Sequence, residues 1–113
     1  DMVGHTGIFD AAIHAAETVD ACLSQLVPLA LLKNYDVLII ADHGNSDFMI
    51  NEDGSPHTAH TLNPVPIIYV SNDQNFNIRD GILADVAPTL LSIMDIKPSP
   101  EMTGQSLLTP KYS

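Results

Sequence analysis

The chain has 113 residues, 45% of them hydrophobic, and a formal net charge of -10. That is the length of one domain with enough apolar content for a modest core, which excludes a disordered chain. Lys33, Arg79, Lys97 and Lys111 are its only fixed cations, which argues against partners that need a basic surface, nucleic acid and anionic membranes among them.

Cys22 is the only cysteine, so no internal disulfide is possible and a reducing, cytoplasmic compartment fits. The chain starts at Asp1 with neither an initiator Met nor a leader, and is expected to be an excerpt or a cleavage product. No apolar stretch is expected to approach the length of a membrane span.

In chain order, residues 1–6 form a polar lead-in. From Gly7 onward Phe9, Ala12, Ile13, Ala16, Val19, Leu23 and Leu26 recur at steps of three and four, with Asp10, His14, Glu17, Asp20 and Ser24 on the other side. This spacing predicts a long amphipathic helix with Thr6 as its N-cap. Pro28 is expected to end or kink it, with Leu29 to Lys33 as one further turn and Asn34 as the closing residue. Residues 36–41, with the apolar run Val37-Leu38-Ile39-Ile40-Ala41, read as a buried strand. A helix leading straight into such a strand predicts an α/β fold, a layered sheet with flanking helices.

Residues 42–63 have no clear period, and a loop of that length in a small domain points to function or disorder. Val65 to Val70 reads as the next strand, with Pro64 and Pro66 at its start. Residues 71–80 read as a polar loop. A helix is predicted from about Leu83 to Met94, beginning near Asp85 so that Pro88 falls in its first turn. Pro98 and Pro100 mark an extended tail, and Met102 to Leu108 a short final segment.

Chemistry concentrates in three polar patches beside apolar elements: Asp1-x-x-x-His5, Asp42-His43-Gly44-Asn45, and His57-Thr58-Ala59-His60. Four of the five histidines fall there. Carboxylate oxygen and imidazole nitrogen are ligands that zinc, manganese and related ions accept. The ends of strands are the usual place for sites in α/β folds. Gly44 is expected to ease the turn after the strand through its backbone freedom. Asn45 and Asp47 read as turn caps. His14 reads as a solvated partner of Asp10 one turn back. Arg79 reads as surface, and no serine or threonine has a context that marks an activated nucleophile.

Taken together, Asp1-Met2-Val3-Gly4-His5-Thr6-Gly7, Ala41-Asp42-His43-Gly44-Asn45 and Pro56-His57-Thr58-Ala59-His60-Thr61 resemble the C-terminal portion of the cofactor-independent phosphoglycerate mutases, members of the alkaline phosphatase superfamily. The likeness continues through Asn63-Pro64-Val65-Pro66, Leu83 to Leu91, and Glu101 to Leu107, so it covers nearly the whole chain. It implies that residues 1–113 are the C-terminal part of a metal-binding, phosphatase-like domain whose remainder is absent. It implies two divalent metals, usually manganese, with magnesium or zinc as alternatives. Asp1, His5 and His60 would serve one ion and Asp42 and His43 the other, with His57 beside the site rather than in it.

The implied reaction moves a phosphoryl group between the 3- and 2-hydroxyls of glycerate, in glycolysis and gluconeogenesis, through a phosphoserine. The serine nucleophile and the cations that hold the phosphoglycerate substrate have no counterpart in this chain, so by itself it is expected to be inactive. An incomplete sheet leaves open edges, so the isolated chain is expected to self-associate. The alternatives are another enzyme of the same superfamily, a phosphopentomutase or phosphatase, or a metal-binding module without catalysis.

Overall fold

Helix α1 spans Phe9–Leu32 in a computed structural model that describes residues 1–112. Its start is not capped by Thr6, as the sequence predicts. Thr6 lies in a 3-10 turn, Gly4–Thr6, and its hydroxyl donates to Val3 O at 2.6 Å and accepts from Ile8 N at 3.2 Å. That local ring holds Thr6 outside the helix, whose first bond runs from Ala12 N to Ile8 O at 3.1 Å. Pro28 does not end α1, which continues for one more turn.

The close is the one expected at Asn34. That residue turns left-handed (φ 64°), its N–H reaches Leu31 O at 3.0 Å, and Tyr35 N reaches Ala30 O at 2.9 Å. These two bonds occupy carbonyls that the helix end would otherwise leave unpaired.

No residue of α1 is buried, and Phe9, Ile13, Val19 and Leu26 of the predicted apolar stripe are exposed. By length and composition α1 is also long and apolar enough to cross a membrane, contrary to the expectation above. Asp10, Glu17 and Asp20 all fall in its first half. From Ala21 to Leu32 no charged residue interrupts it.

The chain divides into two compact units, Asp1–Leu29 with Ile40–Pro66, and Ala30–Ile39 with the residues from Ile67 onward. The first contains all three polar patches. Its long segment 42–63 is ordered by two antiparallel bridges, Gly44 with Thr61 and Ile50 with Pro56. The second bridge closes a turn in which Asn51 N donates to Ser55 O at 2.9 Å and Asp53 accepts from Ser55 N at 2.9 Å. Met49 is the buried apolar side chain of this unit, at 6% exposure.

The second unit carries the regular strands, and its composition is the α/β mixture expected. Strands β1 (Val37–Ile40) and β2 (Ile67–Val70) pair in one two-stranded sheet. Their residues are at most half-buried, not the buried strand that an apolar run implies. Strand β3 (Phe76–Ile78) pairs antiparallel with β4 (Leu108–Pro110), with Asn77 opposite Thr109. β3 falls inside the stretch read as a polar loop, because three residues are too few to display alternation and the partner lies far along the chain.

Helix α2 (Val86–Ile93) follows a 3-10 turn, Leu83–Asp85, and has Pro88 in its first turn as predicted. It closes as α1 does, with Asp95 left-handed (φ 56°) and Ile96 N on Leu91 O at 2.8 Å.

The core of this unit is Leu107, Pro88 and Thr89, with Asp85 buried beside them. Asp85 accepts from Gln105 N at 2.8 Å and Ile82 N at 3.0 Å. Those two amides, Gln105 first, hold its carboxyl below the ordinary carboxylate range. A folded-state value below the unfolded one means stability that is present above about pH 4 and lost as the pH falls through the folded value.

Candidate metal centre

Each of the three patches is delivered by a different local device within the first unit. The 3-10 turn Gly4–Thr6, closed by His5 N on Asp1 O at 3.2 Å, brings His5 over Asp1. Asp42 and His43 stand in the segment with which the first unit resumes at Ile40. The bridge between Gly44 and Thr61, with Thr61 N on Gly44 O at 2.8 Å, brings His60 alongside His43.

The five candidate side chains then converge. Asp1 Oδ1 lies 3.2 Å from His60 Nε2, 3.3 Å from His5 Nε2 and 3.7 Å from His43 Nε2. His60 Nε2 is 3.2 Å from His5 Nε2, and His43 Nε2 is 3.5 Å from Asp42 Oδ1. The His43 and His60 rings are stacked, with centroids 3.6 Å apart and planes inclined by 19°.

The tautomers follow from the partners. His5 Nδ1 lies 2.6 Å from Thr58 O and His43 Nδ1 lies 3.2 Å from Gly44 O. A carbonyl only accepts, so both Nδ1 atoms donate, and in the neutral rings both Nε2 atoms present lone pairs to the cluster. Lone pairs facing carboxylate oxygen at these distances leave too few protons to pair every contact. A divalent cation can take Asp1, His43 and His60, whose ligand atoms all lie within 4.8 Å of one another. Ligands held about 2.1 Å from one tetrahedral ion stand about 3.4 Å from each other. The separations of Asp1 Oδ1 from His60 and His43, 3.2 and 3.7 Å, bracket that length, so these three donors fit such an ion.

His60 is held below its ordinary value, by desolvation first and then by the neighbouring charges of His43 and His5. Its ring therefore stays neutral, and able to donate a lone pair, to a lower pH than a free histidine.

The remaining candidates lie outside the cluster. His57 Nδ1 donates to Asn51 Oδ1 at 3.1 Å, and its ring stands edge-on to Phe48. Its Nε2 is buried without a partner among the described residues. His14 is exposed and lies 3.9 Å from Glu17, one turn ahead, rather than beside Asp10 one turn back. Arg79 donates to Ser106 O at 3.2 Å.

Asp47 and Asn45, read from the sequence as turn caps, also bond well beyond their own turn. Asp47 accepts from the Thr61 hydroxyl at 2.8 and 3.0 Å and from the Asn63 amide, and those bonds, Asn63 first, hold its carboxyl low. Asn45 Nδ2 donates to Ala59 O at 3.3 Å, and a Cβ on Gly4 would run into the Asn45 amide. The sequence carries no short-range signal for either role, since the partners lie 14 and 16 residues away.

Asp1, His5, Asp42, His43 and His60 thus gather the carboxylate and imidazole donors that metal-handling proteins use. The family model described as the metalloenzyme superfamily matches residues 1–98, and the chain belongs to that superfamily. Among curated relatives, it is 56% identical over 108 residues to a protein of Parabacteroides distasonis, and equally to one of Flavobacterium johnsoniae, covering 96% of this chain and 21% of each relative. A third, from Akkermansia muciniphila, is 56% identical over 111 residues, 97% of this chain and 22% of the relative. All three are named 2,3-bisphosphoglycerate-independent phosphoglycerate mutase. The chain thus spans about a fifth of the length of the curated relatives it matches, 21–22%.

Proposed function

We propose that this chain is the C-terminal part of the metal-binding domain of a cytoplasmic, glycolytic phosphoglycerate mutase. The observation that carries this reading is the convergence of Asp1, His5, Asp42, His43 and His60 in a chain whose relatives bear that name. Asp1, His5 and His60 would hold one divalent ion, and Asp42 and His43 would contribute to a second; manganese suits the oxygen and imidazole donors, as do magnesium for the former and zinc for both. When bound, the ions supply neutralisation of charge on a transferring phosphoryl group and a lower pKa for a nucleophilic hydroxyl.

The chain's own residues do the rest of the work assigned here. Thr58 O and Gly44 O orient the rings of His5 and His43 by accepting their Nδ1 protons. The depressed basicity of His60 keeps its lone pair free. The serine that carries the phosphoryl group between the 3- and 2-hydroxyls of glycerate, and the cations that bind the substrate, belong to other parts of the enzyme. With a net charge of -10 and one arginine, this chain is a poor cradle for a phosphorylated acid.

Two measurements test this reading. The complete protein carrying this sequence, stripped by exhaustive chelation, is expected to lose conversion of 3-phosphoglycerate to 2-phosphoglycerate and to regain it with Mn2+. Full turnover in the stripped protein overturns the proposal. The isolated chain, inactive and with its sheet edges and the apolar stripe of α1 uncovered, is expected to self-associate. A single monomeric species in sedimentation counts against that part.

A further inference from the structure

Resting on the metal-site reading above, we infer that Asp47 is a positioning residue that sets the spacing of His43 from His60. The two histidines come from segments well separated in sequence, and each is followed by a residue of one clasp. Gly44 follows His43 and Thr61 follows His60, and these two are joined backbone to backbone at 2.8 Å. Asn45 Nδ2 on Ala59 O, at 3.3 Å, ties the residue before His60 to the same segment. Asp47 adds a further point of attachment, with both carboxylate oxygens on the Thr61 hydroxyl and Oδ2 also on the Asn63 amide.

Held at residue 61 through both backbone and side chain, and again at residue 63, the segment that follows His60 is fixed in roll as well as in distance. The outcome is the stacking of His43 on His60 at 3.6 Å with both Nε2 atoms toward Asp1.

Gly44 belongs to the same device. Its φ is not positive, so the turn freedom expected of glycine is not what places it there. A Cβ at residue 44 would run into Thr61 Oγ1 and stand 2.7 Å from Asp47 Oδ1. The residue lacks a side chain because the clasp occupies that space.

Supporting partners of metal-holding side chains typically change affinity ten- to hundredfold when removed, so the effect expected here is about that size. Co2+ is a suitable probe, because its visible absorption reports ligand geometry. In the complete protein, Asp47→Asn is expected to weaken Co2+ binding by about tenfold or more and to shift the absorption. Thr61→Val, which deletes the other half of the same bond, is expected to reproduce this, and the double variant to be no worse than Asp47→Asn alone. Thr61→Ser, which keeps the hydroxyl, is expected to restore both affinity and spectrum.

A folded Asp47→Asn protein with wild-type Co2+ affinity and spectrum overturns the inference, even if its melting temperature falls. His60→Ala separates the two levels. If it binds Co2+ like wild type, the metal-site reading fails and the inference with it. If His60→Ala loses Co2+ while Asp47→Asn does not, the inference alone fails.

Discussion

Asp42→Ala and His43→Ala are each expected to reduce mutase turnover of the complete protein at least a hundredfold while leaving it folded. The size follows from position. Removing a partner that merely orients a ligand costs about ten- to hundredfold, and removing the donor atom itself should cost at least as much. Asp42 is the cleaner of the two, because its side chain is 82% exposed and its nearest partner here is His43 Nε2 at 3.5 Å. Little packing is lost when it is truncated. His43→Ala also removes the ring stacked on His60, so circular dichroism must accompany the assay. His14→Ala is the control. Its side chain is 84% exposed and makes one long contact with Glu17, worth at most a few tenths of a kcal/mol. Turnover above about a tenth of wild type in Asp42→Ala sinks the assignment of that residue to a metal.

The second large effect is on stability. Thr89→Val is expected to cost about 2–3 kcal/mol, a substantial part of a domain's typical margin. Thr89 is fully buried, and its hydroxyl does two things. It donates to Asp85 O at 2.7 Å and accepts from Leu107 N at 2.9 Å. Valine has the same shape but neither capacity, so the Leu107 amide is left buried and unpaired next to the least exposed apolar side chain. The loss should be local first. Amide exchange across residues 104–110 should quicken, and the melting temperature should fall. Thr89→Ser, which retains the hydroxyl and loses a methyl group, should cost about half as much. Equal protection of Leu107 in wild type and Thr89→Val would falsify the role given to this hydroxyl.

The close of α1 and the start of α2 were legible because they depend on near neighbours. Asn34 tolerates the left-handed turn that closes α1, and Pro88 is acceptable only within the first turn of its helix. The three metal-type patches were legible for a similar reason, since each is a few residues of the right chemistry at the end of an apolar element. Where expectation and structure part, the cause is a competing partner, near or far along the chain. Thr6 is drawn off the start of α1 by Val3 O. The strand at Phe76–Ile78 exists only because Leu108–Pro110 pairs with it. Val37 to Ile40 are apolar as a buried strand requires, yet they are at most half-buried here, because composition reports what a strand can bury and not what covers it.

At Asp42-His43-Gly44 the division is sharpest. Residue type and order alone determined that carboxylates and imidazoles would stand at the end of β1, since donor chemistry is a property of the side chain. Tertiary structure decided that Asp1, His5 and His60 meet them there, that His5 turns Nε2 inward, and that Asp47 reaches Thr61 and Asn63. It also decided why residue 44 is glycine: the space for a side chain is taken by the Thr61 hydroxyl and the Asp47 carboxylate. A sequence prescribes which groups are available. The hydrogen bonds of the folded chain prescribe where they point.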